Sequence, residues 1–209
     1  MAFHIREKSR AKAELARSVL LALLSRLEDD VPINQHVCFI LAGDIVYDMA
    51  HDAPRLERST GKPVKGSDID LVVVADDRCP KELLERIDEA IYQEKQTLLM
   101  TPHLRQEIDY IVKDLDRVRA QTEFDTFKHI VACKILQEGI LLFGNTDLFN
   151  TIKAMLREKG VTEKLNRLET QAGIFRKDAE TYLLAEDPGK IKKEILYYFY
   201  PSEETEEFE

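Results

Sequence analysis

Two aspartates two positions apart, Asp68 and Asp70, interrupt a run that otherwise reads as a buried strand: Gly66-Ser67-Asp68-Ile69-Asp70-Leu71-Val72-Val73-Val74. Side chains alternate along a strand, so both carboxylates share one face while Ile69, Leu71 and Val73 point to the other, toward a core. Like charges that close repel each other unless they are exposed or neutralised. A divalent cation such as Mg2+ resolves the conflict, because hard cations prefer carboxylate and phosphate oxygens. A third acid lies in Glu107-Ile108-Asp109-Tyr110-Ile111-Val112, again inside an apolar strand pattern. If that strand lies beside the first, Asp109 joins the pair. Glu107 would share its face, but Asp109 is flanked by apolar residues on both sides and sits deeper. Three such carboxylates can hold two metals roughly 3.5–4 Å apart, one activating a hydroxyl and the other clamping a phosphate chain. Alone, Ser-Asp-Ile-Asp is equally a solvated strand end after a turn; the combination with Asp109 carries the chemistry.

The elements that must position these acids follow from the hydrophobic periodicity. Residues from about Ile5 to Leu27 place apolar side chains at helical spacing, and Pro32 follows as a stop. HVCFILAG predicts a buried strand running into Gly43. DIVYDMAHDA then suits a short helix, and PRLERSTGKPVKG, with its Gly, Pro and Ser punctuation, a loop. After the SDIDLVVV strand, Pro80 precedes a helix with an apolar stripe at Leu83, Leu84, Ile87, Ala90 and Ile91. EIDYIVK alternates as a third strand. A long helix from about Phe124 to Gln137 leads to GILLFGN, a short strand or extended exit. From Thr146 onward the pattern is helical, in DLFNTIKAMLREKG, VTEKLNRLETQAGIFRKDAETYLL and GKIKKEILYYFY. The fold class expected is α/β: a small mixed twisted sheet with packed helices, then a C-terminal helical segment. The expected division is an α/β domain with its N-terminal helix over 1–145, a helical region over 146–200 and an acidic tail over 201–209.

Gly43 after a buried strand, then GSDIDLVVV, then IDYIV, resembles the nucleotidyltransferases of the DNA polymerase beta superfamily, in particular the small minimal and antibiotic-modifying ones. KILQEGILLFG resembles the helix-then-strand exit of that group, and the likeness spans roughly residues 36 to 144. It implies a nucleotidyltransferase fold, with Asp68, Asp70 and Asp109 as metal ligands and catalytic acids. It also implies two Mg2+ ions, with Mn2+ possible, and an NTP whose phosphates Ser67 and Gly66 help to position. The acceptors in that superfamily are small molecules, proteins or RNA ends. The sequence departs from the pattern where the family has Gly-Ser after its first strand, for the pair here is Gly43-Asp44. The spacing to Asp68 is also long, and the intervening loop either offers Arg58, Lys62 or Lys65 to phosphates or is a solvated insertion. The alternative reading is an inactive member of the fold that binds nucleotide or a protein partner, as in toxin–antitoxin pairs.

The bulk numbers bound these readings. With 209 residues, 44% hydrophobic and 33% charged, the chain suits a globular protein with one substantial core. The net charge of −9 disfavours a long nucleic acid as a tightly held partner and leaves a small molecule or a protein as the expected acceptor. Part of that charge lies in the terminal SEETEEFE, expected to be a solvated tail. No apolar run reaches the ~20 residues of a membrane helix, and the opening MAFHIREKSRAKAEL lacks the apolar centre of a secretory signal, so a cytoplasmic location is expected. Cys38, Cys79 and Cys133 show no CxxC pairing and read as reduced thiols, the first and last in the core. His36, His51, His103 and His129 lack metal-ligand spacing. The aromatic run Tyr197, Tyr198, Phe199 and Tyr200 reads as packing of a final helix.

Overall fold

The computed structural model describes residues 2–27, 32–57 and 60–190. The expected final helix, its aromatic run and the acidic tail therefore lie outside the described residues, as does Arg58. Helix α1 (Ala2–Leu24) and the short α2 (Ile33–His36) precede β1 (Val37–Ala42), all six of whose residues are buried. Then follow β2 (Pro54–Leu56), β3 (Pro63–Lys65), β4 (Ile69–Ala75), α3 (Lys81–Met100) and β5 (Ile108–Asp114). The described chain ends with α4 (Leu115–Gln121), α5 (Phe127–Glu138), β6 (Ile140–Gly144), α6 (Thr146–Glu158) and α7 (Val161–Ala185), closed by a 3-10 turn at Pro188–Lys190. The fold is α/β, as expected, with a four-stranded mixed sheet in the order β5-β4-β1-β6. No helix among the described residues is long and apolar enough to cross a membrane.

The sheet has a helical layer on each face. Val37, Phe39, Leu41, Ile69, Leu71, Val73 and Ile108 join α1 and α3 in one core, through Ala16, Leu20, Leu23, Leu83, Ile87, Ile91 and Leu98. Cys38, Ile40, Val72 and Val74 face the other way, onto Leu115 and Val118 of α4, Cys133 and Leu136 of α5, and Leu148, Ile152 and Leu156 of α6. Val161 and Leu165, in the first turns of α7, belong to the same cluster. Strands this apolar on both sides are what a sheet covered twice requires. β1 runs antiparallel to β4 and β6, whereas β4 and β5 are parallel and joined through α3, since parallel neighbours need a long crossover. Cys38 and Cys133 are buried free thiols, and burial pushes them up to about 12 and about 11 respectively.

Two local expectations are corrected, and one element is added. DIVYDMAHDA does not form an α-helix: one 3-10 turn, Gly43–Ile45, gives way to Asp48 at φ +55, a left-handed backbone that ends helical hydrogen bonding. PRLERSTGKPVKG is not an irregular loop but a hairpin, with Pro54 opposite Lys65, Arg55 opposite Val64 and Leu56 opposite Pro63. Each strand has only three residues and begins with proline, which hides it from periodicity. The helix expected from about Phe124 to Gln137 is α5, Phe127–Glu138, and it is preceded by a short helix, α4, that the periodicity did not announce. Asp114 caps α4 by accepting from the Arg117 amide, Thr126 caps α5 by accepting from the His129 amide, and Phe124 at φ +58 turns the chain between them.

Lys113 on β5 is 4% exposed, and its ammonium donates to Gln121 Oε1 at 2.7 Å beneath α4. Burial pushes its pKa down to about 8. The charged form is thus penalised in the folded state relative to an unfolded lysine near ~10.4. Below pH 8 the full cost is present, and it is relieved as pH rises toward the unfolded value. A Lys113→Met variant should therefore be more stable relative to wild type at pH 7.5 than at pH 10, the gap narrowing by about 2 kcal/mol. Urea denaturation of both proteins at the two pH values measures this; a gap independent of pH would show that Lys113 keeps an ordinary pKa.

Candidate metal centre

The register of β4 and β5 assembles the acids. In this parallel pair Asp70 lies opposite Asp109, so the two carboxylates stand side by side. Asp68 precedes β4 by one residue and projects to the same side as Asp70, the side covered by α4 to α7. One oxygen from each of Asp68, Asp70 and Asp109 lies within 4.8 Å of the others. Among the described residues no other set of three His, Cys, Asp or Glu side chains is so placed. Asp68 and Asp70 are half-buried and Asp109 is exposed, so the cluster opens to solvent on the β5 side.

The neighbouring backbone leaves no slack around Asp70. β1 is antiparallel to β4 with Ala42 opposite Asp70, which carries Gly43 onto the carboxylate. Gly43 adopts φ +68, and a Cβ there would fall 1.8 Å from Asp70 Oδ2. Only glycine satisfies both the backbone and the contact. Burial is the main cause that pushes the Asp70 carboxyl up to about 7, and the charges of Asp68, Asp109 and Asp44 add to it. This donor set suits a hard divalent cation: three carboxylate oxygens gathered closely, with one acid held near its protonation point by burial and by neighbouring negative charge, both of which a cation would offset.

Ser67 and Asp44 are occupied with each other. The Ser67 hydroxyl donates to Asp44 Oδ2 at 2.8 Å and accepts from the His51 amide at 3.2 Å. Ser67 is 2% exposed, so its hydroxyl serves the loop rather than the mouth of the cluster. Gly66 makes the turn into β4 at φ +64, where a Cβ would strike the His51 carbonyl. Lys65, expected near phosphates, donates instead to the His103 carbonyl at 2.8 Å, and the Lys62 ammonium rests on the Met100 sulfur. His129 pairs with Asp125, just ahead of the N-cap of its helix.

Two cations that sequence reasoning missed stand closer. The Lys12 ammonium, from α1, donates to Ser67 O at 2.7 Å, Lys65 O at 3.2 Å and Gln106 Oε1 at 2.6 Å. Gln106 in turn donates to Ser67 O and Glu107 O, so one buried lysine ties together the entries of β4 and β5. Burial lowers the Lys12 pKa, and the nearby Asp52 and Asp68 oppose that. Arg55, on β2, places Nη2 3.0 Å from Asp68 Oδ2 and 2.8 Å from Glu107 Oε2. Its Nε donates to the Gly66 carbonyl at 3.2 Å. Nη2 and Glu107 Oε2 are both enclosed and lack an aligned hydrogen-bond partner, so their contact is ionic rather than a formed hydrogen bond. Glu107 is thus a partner of Arg55 and stays outside the three-carboxylate group. Neither cation had a local signal: Lys12 reads as one more charge on a helix, and Arg55 as one of four bases in a loop.

No protein-family model and no curated protein matches the chain. Solved structures resemble it over most of its length. One is a chain of a mutant of the toxin–antitoxin pair MntA-HpeT (16% identity, TM-score 0.34, covering 77% of this chain and 96% of that one). Another belongs to a toxin–antitoxin structure with AMP-PNP (17%, 0.35, 77% and 96%). A third belongs to the tri-AMPylated Shewanella oneidensis HEPN toxin in complex with the MNT antitoxin (18%, 0.34, 78% and 97%). At this distance the chemistry rests on the side chains of this chain alone.

Two outcomes follow from the geometry. An acid with a raised pKa favours the folded state while protonated and loses that advantage as pH climbs through the folded value. Without divalent ions, Asp70→Asn should therefore be more stable than wild type at pH 8, by about 2 kcal/mol, and nearly equal to it at pH 5. Melting curves in chelator at both pH values check this, and a pH-independent difference would place the Asp70 pKa in the normal range. Gly43→Ala should lose about 1–3 kcal/mol through backbone strain and displacement of the carboxylate, as read by denaturation.

Proposed function

We propose that the protein is a metal-dependent nucleotidyltransferase, moving a nucleoside monophosphate from an NTP to a hydroxyl of an acceptor with release of pyrophosphate. The observation that carries this reading is the convergence of Asp68, Asp70 and Asp109 at the ends of two parallel strands. Asp68, Asp70 and Asp109 would hold Mg2+ or Mn2+. Bound there, the ions supply charge neutralisation for the phosphates and a lowered pKa for the attacking hydroxyl. Asp109, the exposed member, faces an acceptor arriving from solvent and takes the proton from its hydroxyl. The acceptor oxygen forms its bond to the α-phosphorus as the bond to the bridging oxygen breaks, and pyrophosphate leaves with that electron pair. Gly43 keeps the Asp70 carboxylate in place, while Lys12 holds the backbone that delivers Asp68.

The acceptor is read as a small molecule or a protein, because the net charge of −9 opposes a long nucleic acid. A second reading, a nucleotide- or protein-binding member of the fold without turnover, is favoured by one observation. Ser67 is engaged by Asp44, where a phosphate-binding site would present a free hydroxyl or amide.

Incubation with Mn2+ or Mg2+ and each α-labelled NTP, alone and with cell extract, separates the two readings. Label entering protein or a small molecule, and lost by at least ~100-fold in folded Asp68→Ala and Asp70→Ala variants, is the expected outcome. Metal-dependent NTP binding with no transferred label in any fraction would leave the binding reading.

A further inference from the structure

The hairpin of β2 and β3 brings the Arg55 guanidinium to within 3.0 Å of an Asp68 oxygen. The carboxylates of Asp44, Asp68, Asp70 and Asp109 gather at this end of the sheet, with Glu107 behind them. The nearby ammonium of Lys12 is spent on three oxygens, two of them backbone carbonyls, and does not reach the carboxylate oxygens by any hydrogen bond. Lys65 and Lys62 point to His103 and Met100. Arg55 alone among these touches a member of the cluster, at 3.0 Å from Asp68 Oδ2.

The way Arg55 is held distinguishes it from an ordinary structural ion pair. Its Nε donates to the Gly66 carbonyl, in the turn that leads into β4. Its Nη2 sits between Asp68 and Glu107 with no aligned hydrogen bond to either. A fixed structural arginine would use its fork to form paired, aligned bonds with one carboxylate. Glu107, 8% exposed, carries an enclosed oxygen aimed at the same guanidinium and likewise lacks an aligned donor. Arg55 is therefore anchored at its Nε and shared between two carboxylates at its enclosed Nη2, while its side chain keeps 32% exposure through which another anion can reach the guanidinium.

From this geometry we infer that Arg55 is an exchangeable cation of the site: it screens Asp68 when no metal is present and takes up the phosphate chain when a metal-bound triphosphate arrives. The inference rests on the metal-dependent reading given above. A divalent cation at the carboxylates takes over the neutralisation of Asp68 and repels the guanidinium. A triphosphate beside that cation offers the freed nitrogens new oxygens, which guanidinium groups bind in paired geometry. Glu107 keeps Arg55 at the site's edge during the exchange. The hairpin thus provides the phosphate contact that Asp44 cannot, since Asp44 is itself an anion.

The two halves of this role predict opposite effects of one substitution, which a merely structural residue would not produce. Arg55→Gln removes a positive charge beside the metal position, so Mn2+ alone should bind more tightly, by about 3-fold or more. The same variant should bind preformed Mn2+–tripolyphosphate, a probe without a base, about 10-fold more weakly. Glu107→Gln leaves the charge of Arg55 uncompensated and should shift both affinities the other way. Arg55→Lys should recover part of the tripolyphosphate affinity. Calorimetric titration, with electron spin resonance of free Mn2+, measures all four proteins without reference to turnover. Equal losses of both ligands in Arg55→Gln, or no change in either, would overturn the role. If Arg55→Gln does not fold, Glu107→Gln decides, since a shift in the same sense for both ligands contradicts the exchange. Tight binding of both probes by wild type with no effect of Arg55 leaves the metal site standing and removes this inference alone. Failure of wild type to bind Mn2+ removes both.

Discussion

Electrostatic repulsion among carboxylates, forced together by the pairing of two parallel strands, is the constraint that the rest of the site answers. Two unit charges 4–5 Å apart repel by roughly 3–4 kcal/mol at an effective dielectric of 20, and a domain of this size is stable by only about 5–15 kcal/mol. Three mutual pairs would consume much of that margin. The protein answers in three ways. Asp70, the most enclosed of the three, stays close to its protonation point near neutral pH. Asp109 remains exposed to water. Asp68 is screened by a guanidinium from the hairpin. None of these removes the repulsion altogether, and the residual negative charge is what a multivalent cation would neutralise.

The surrounding fold works to keep the acids where they repel. The apolar alternation of β4 turns Ile69, Leu71 and Val73 into the core formed with α1 and α3, so its acids cannot flip to the other face without burying charge. Parallel pairing with β5 fixes Asp109 beside Asp70 through a register that extends from Ile69 to Ala75. Behind the strand entries, Lys12 replaces solvent for two carbonyls and a side-chain amide. A lysine that buried would be costly without partners. With them it makes α1 part of the site's support rather than a separate packing helix.

Much of this was legible in the sequence, and the reasons for the misses are physical. The order of strands and helices follows from local periodicity, and the spacing of Asp68 and Asp70 fixes their common face. The placing of Asp109 beside them needed the strands to be neighbours, which the long helical crossover over Lys81–Met100 makes natural for a parallel pair. What local pattern cannot encode is contact between distant residues. Lys12 meets Ser67 across 55 positions, and Arg55 meets Glu107 through a hairpin whose strands are too short to show alternation. Lys65 and Ser67 were of the right type and in the right segment, yet their side chains are bound elsewhere, to His103 and Asp44. Residue type announces what a side chain can do; only the fold decides which way it points. The short helix α4 was missed because seven residues show too little periodicity to stand out between a strand and a longer helix.

The charge balance of the cluster also orders the way a nucleotide could enter. Among the described residues, the Asp44, Asp68, Asp70, Asp109 and Glu107 carboxylates are balanced by the Arg55 guanidinium, already shared between Asp68 and Glu107, and by the buried Lys12 ammonium. A free triphosphate approaching this end of the sheet would meet net negative charge at short range, where salt screens little. The same phosphates carrying a divalent ion would meet complementary charge, because the ion is drawn to the acids while its phosphates are drawn to the arginine. Asp44 sharpens this preference. A serine in its place would tolerate bare phosphate, whereas an aspartate bonded to Ser67 adds one more charge against it. The departure from Gly-Ser at Gly43-Asp44 is therefore compatible with metal-bound nucleotide and opposed to metal-free nucleotide. On the proposed function, the cation would be a condition of recognition as well as of chemistry.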